Sequence, residues 1–159
     1  YCIDELIGTD AHAMTARLST RHPDIAFSVV RSSPLAERGV RGNRMQAGVY
    51  DLLEKTEEKD GGVNLVGRFN PLPATSEFPD VLGEWGISTV RSVASCKTFD
   101  EYRRIASSAL DISASWMGEA TVLELQRTLA IPPLSFGPAY GLGELDESYR
   151  RLYETLRGI

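Results

Sequence analysis

The chain has 159 residues, of which 42% are hydrophobic and 25% charged, enough to bury the core of one domain, or of one domain with part of another, and too apolar for disorder. A formal charge of −5 without any basic run argues against a phosphate-backbone partner, and no apolar stretch approaches the roughly 20 residues that span a bilayer. Neither nucleic acid nor membrane is expected as a partner. The cysteines, Cys2 and Cys96, form neither a paired zinc motif nor a disulfide framework and fit a reducing, cytoplasmic compartment. Because Tyr1-Cys2 reads as the inside of an element, the chain is expected to be a piece of a longer subunit.

Taken in order, the first 60 residues hold one strand pattern, Ile25 to Val30, between two helical stretches. Met45, Val49, Leu52 and Leu53 share one face of the second stretch, and Glu54 to Asp60 is its solvated charged end. One strand does not make a sheet, so residues 1–60 are read as the C-terminal part of a first α/β domain, with a boundary near Asp60–Gly62. From residue 61 to 159, strands alternate with helical periodicity, which predicts a second, Rossmann- or flavodoxin-like domain: a parallel sheet covered by helices. The strands are expected near 63–67, 88–93, 110–114 and 133–136. Phe78 to Trp85 reads as a short helix ended by Gly86, and Thr98 with Glu101 as a capping box opening a helix over 99–107. Val122, Leu125 and Leu129 stripe a helix over 118–130 that Pro132-Pro133 ends, and Leu145, Tyr149, Leu152, Tyr153 and Leu156 stripe the last.

Familiar catalytic motifs are missing. No phosphate-binding loop occurs, Gly141-Leu142-Gly143 lacks a third glycine, and His12 and His22 read as helix-end or surface residues. Cys2 precedes a helical stretch, where backbone N–H groups and the helix dipole favour the thiolate that binds iron. One thiolate is one ligand, whereas a cluster needs about four; taken alone, such a cysteine is more often a small buried hydrophobe. Cys96, Asn64 and Arg68-Phe69-Asn70 fall near the carboxyl edge of the expected sheet, where open α/β folds bind ligands. A structural role is the commoner reading for Cys96, Asn64 and Arg68.

The segment Cys2-Ile3-Asp4-Glu5-Leu6-Ile7-Gly8-Thr9-Asp10 resembles the segment that carries a cluster-ligating cysteine in the nitrogenase component 1 family. The resemblance continues in the same order through Gly42, the Met45–Leu53 stretch, Val63-Asn64-Leu65-Val66-Gly67, Leu82-Gly83-Glu84-Trp85-Gly86-Ile87, Leu110-Asp111-Ile112 and Phe136-Gly137-Pro138, covering nearly the whole chain. It implies that Cys2 ligates an iron–sulfur cluster in the intact assembly, with Glu5, Gly8 and Asp10 shaping the segment, and that the isolated piece holds no cluster. It also implies a homologous subunit and an ATP-driven iron–sulfur reductase protein as partners, and low-potential electron transfer to a reduced substrate as the function. Three departures matter. Thr9 stands at the family's first acidic position after the glycine, and Ser115 stands where the catalytic subunit has a cofactor-ligating cysteine. Asn43-Arg44 also replaces that subunit's adjacent histidines. The chain thus resembles a partner or scaffold subunit more than the cofactor-bearing one; a scaffold for metallocluster assembly and an iron-free small-molecule binding module are the alternatives.

Overall fold

The computed structural model describes residues 8–30 and 48–159. The chain divides into two compact units, Tyr1–Leu52 and Leu53–Ile159.

In the first unit, helix α1 spans Ala11–Arg21. Gly8 lies at φ 74°, a left-handed conformation that favours glycine, and two residues later Asp10 caps the helix, its carboxylate accepting from the Ala13 N–H at 2.9 Å. His12 and His22 are exposed, as expected of helix-end residues. The expected strand Ile25–Val30 is not formed: these residues join no ladder, and Ser28 instead donates from Oγ to the Gly48 carbonyl at 2.9 Å. β-branched composition favours a strand only where a neighbour supplies the partner groups. The expected helix from Met45 to Leu53 is also corrected, since Gly48–Tyr50 is one 3-10 turn followed by turn residues; Gly42 and Met45 lie outside the described residues.

The second unit is a four-stranded, wholly parallel sheet of order β2-β1-β3-β4, comprising β1 Val63–Val66, β2 Val90–Arg91, β3 Leu110–Ser113 and β4 Pro133–Ser135. This is the α/β, Rossmann-like architecture that the alternation of elements predicts. Helices α2 Phe78–Glu84, α3 Phe99–Arg103, α4 Glu119–Leu129 and α5 Leu142–Arg157 connect and cover the strands. Every residue of β1 and β3 is buried, as in a sheet covered on both faces.

The two faces differ chemically. Alternate residues Val63, Leu65, Leu110 and Ile112 pack with Leu82 of α2 and Leu152 of α5 into one apolar cluster. Trp85 and Tyr149 extend it, with ring centroids 6.1 Å apart in an edge-on arrangement. The other residues of those strands, Asn64, Val66, Asp111 and Ser113, face the opposite way, and Thr121, Val122, Leu125 and Leu129 are the buried side chains of α4, which packs on β3 and β4.

Local signals set the helix ends. Gly86, at φ 87°, follows α2, and the Ile87 N–H donates back to the Leu82 carbonyl at 2.9 Å. Thr98 accepts from the Glu101 N–H at 3.1 Å, whereas the Glu101 carboxylate reaches the Lys97 N–H rather than that of Thr98. The helix expected over 99–107 changes to 3-10 geometry at Arg104–Ser107. Helix α4 ends at Ala130 in the left-handed region, φ 55°; Pro132 then restricts Ile131 to extended backbone and feeds β4.

Candidate functional site at the carboxyl edge of the sheet

Strand β1 leaves the sheet at Gly67 and β3 at Ser115, and these two exits are locked together. Ser115 donates from Oγ to the Gly67 carbonyl at 3.2 Å, Ser113 from Oγ to the Ser115 carbonyl at 2.7 Å, and the Gly118 N–H to that same carbonyl at 2.9 Å. Gly67 adopts φ 90°, and a Cβ there would stand 2.7 Å from Ser115 Oγ and 3.0 Å from both N and Cα of Gly118. A Cβ on Gly118 would in turn meet Ser113 Oγ and the Val66 carbonyl, each at 2.9 Å. The loops after β1 and β3 therefore touch backbone to backbone, which only two glycines permit.

Ser115 bonds to backbone across the sheet and does not cap the following helix: α4 begins after Gly118 with no side-chain cap. Ser115→Ala is expected to cost about 0.5–1.5 kcal/mol, the net value of one neutral hydrogen bond. Denaturant titrations of parent and variant check this, and equal stabilities would show that the bond to Gly67 does not hold the two exits together.

Cys96 follows the 3-10 turn Val93–Ser95 beyond β2. Its thiol is half-buried and donates to the Ser92 carbonyl at 3.3 Å. Burial pushes the thiol pKa up, Glu101 adds to the rise, and Arg91 opposes it. A thiol held protonated is a poor metal ligand, so Cys96 reads as structural.

Asn64 does not line the edge. It is fully buried and donates from Nδ2 to Asp111 Oδ1 at 2.8 Å, its cross-strand neighbour in the register. Asn64 Oδ1 and Asp111 Oδ2 are buried without a partner, and burial pushes the Asp111 carboxyl up to about 7 against the lowering pull of Asn64 and Lys59. A neutral carboxyl carries the one donor this pair otherwise lacks. Sequence reasoning passed over Asp111, although a lone acid inside the apolar run Ala109-Leu110-Asp111-Ile112 was the available signal. Arg68 is half-buried and lines a groove with Leu65, Leu72, Phe78, Phe136 and Tyr149, with a volume of about 280 Å³.

Of the residues expected to serve a cluster, Cys2 and Glu5 lie outside the described residues; Gly8 and Asp10 form the turn and cap that start α1. Among the described residues no group of three or more His, Cys, Asp or Glu could hold a metal ion. With the Cys96 thiol pKa raised by burial and the Ser115 hydroxyl committed to Gly67, those two residues do not by themselves make up the donor set of an iron–sulfur cluster. No helix among the described residues is long and apolar enough to cross a membrane.

No curated protein matches the chain. One family model does, described as nitrogenase component 1 type oxidoreductase, and it spans residues 1–158, taking in the Cys2 segment, both glycine-lined strand exits and the last helix. The chain belongs to the nitrogenase component 1 type oxidoreductases.

Proposed function

We propose that this chain is part of a partner-type subunit in which Cys2 supplies one thiolate to an iron–sulfur cluster at an interface with a homologous subunit. The remaining ligands come from sequence outside this chain or from that subunit. Electrons enter from an ATP-driven iron–sulfur reductase protein and pass to a substrate reduced elsewhere in the assembly. The observation that carries the reading is the family match across the Cys2–Asp10 segment, in which Gly8 and Asp10 have the backbone roles of a turn and a helix cap.

The test is Cys2→Ser in the assembled complex. A serine alkoxide is a far poorer soft-metal ligand than a thiolate, so iron per complex and reductase-dependent electron transfer are both expected to fall, with subunit association retained. Unchanged iron and unchanged electron transfer would remove the proposal.

One observation supports a second reading within the same family. The Ser115 hydroxyl is committed to the Gly67 carbonyl where the catalytic subunit has its cofactor cysteine, which suits a scaffold that builds a metallocluster and hands it on. Cluster transfer to a recipient without substrate turnover distinguishes the scaffold from the electron-transfer subunit.

A further inference from the structure

The groove beside Arg68 combines features that the electron-transfer reading does not use. Its wall is apolar and partly aromatic: Phe136 stands between Phe78 and Tyr149, with ring centroids 5.7 and 5.3 Å away. At about 280 Å³ it lies near the lower end of the roughly 300–1,000 Å³ typical of small-molecule clefts. Arg68 is the cation in the lining. Its Nε is buried with no hydrogen-bond partner, and no ion pair involves it among the described residues.

The buried Nε–H is costly to leave unpaired, because it loses water without gaining an acceptor. The acceptor that matches the planar fork of the guanidinium is a carboxylate, which takes two parallel N–H bonds. The wall accommodates an apolar body attached to that carboxylate. Burial and then the nearby Glu77 push the Tyr149 phenol pKa up, which disfavours a second negative charge beside that ring.

We propose that this groove binds a small monocarboxylate with an apolar or aromatic body, its carboxylate on Arg68 and its body against Phe78, Phe136 and Leu72. No described residue of the Cys2–Asp10 segment lines the groove, and its ligand is read without a cluster.

Calorimetric titration of the full chain with 3-phenylpropionate, its neutral amide, acetate and inorganic phosphate tests the assignment. The acid is expected to bind at least tenfold more tightly than each of the other three. Arg68→Met keeps the apolar stem and removes the fork, and it is expected to lose that tenfold preference for acid over amide. Ala139→Trp, which adds bulk to a residue of the groove wall, is expected to abolish binding of both. Circular dichroism establishes that each variant is folded. Absence of binding to the folded parent chain overturns the proposal, as do equal affinities for acid and amide, phosphate or acetate binding as tightly as the aryl acid, or an acid preference that survives Arg68→Met.

Discussion

Replacing Asp111 with Asn is expected to raise stability at pH 8 by about 1–4 kcal/mol and to change it little at pH 4. The carboxyl is fully buried, bonded on one oxygen by Asn64 and unpartnered on the other. Burial lifts its pKa to about 7 in the folded chain, against about 3.9 for an unfolded aspartate. Between those values the folded state holds a proton that the unfolded state has released. Its contribution is therefore fully present below about pH 4 and is lost as pH rises toward 7, at about 1.4 kcal/mol per pH unit. Asparagine cannot ionise, keeps an oxygen to accept from Asn64, and carries amide protons that suit the unpartnered Asn64 Oδ1. Subtracting the two denaturant-derived stability curves from pH 4 to 8 isolates the contribution of Asp111. Parallel curves over that range would show that Asp111 is not held neutral by the fold.

Gly67→Ala is expected to cost about 2–5 kcal/mol, from two sources that can be separated. The left-handed backbone accounts for about 1–2 kcal/mol in any residue bearing a Cβ, and forced overpacking for about 1–3 kcal/mol. The added methyl meets Ser115 Oγ at 2.7 Å and the Gly118 backbone at 3.0 Å. The serine oxygen is one side-chain atom, whereas the Gly118 contact is backbone at the start of α4. Combining Gly67→Ala with Ser115→Ala removes the closer clash and should restore part of the loss, so the double variant is expected to be more stable than the sum of the single changes allows. A Gly67→Ala chain within about 0.5 kcal/mol of the parent would mean that the two strand exits separate freely. Such freedom would weaken the view of this edge as a rigid platform.

Several features of the second unit were legible because their causes are local. The short β-rich run Val63–Val66, apolar but for Asn64, marks a strand buried on both faces, and Thr98 announces a helix start with a side chain three residues from the N–H it accepts. The stripe along α5 points Leu152 into the core by helical periodicity alone. Where the physical partner is remote, the same logic failed. Ile25 to Val30 has strand composition but joins no ladder, and a strand exists only when a second one accepts its backbone groups.

The Cys2–Asp10 segment shows the same division within one motif. The Asp10 cap and the Gly8 turn follow from residue type and spacing to the next helix, whereas the other ligands of any cluster on Cys2 are not encoded nearby. By itself, then, the sequence determined the alternation of strands and helices, most of their ends, and the family to which their order belongs. Only the tertiary structure decided that Ser115 ties down Gly67 from 48 residues away, that Asp111 meets Asn64 across 47, and that Arg68 is left unpaired beside an aromatic wall. Periodicity and capping act within a few residues. Register and burial instead bring together groups whose separation along the chain carries no signal, and they set what each group costs to ionise or leave unpaired.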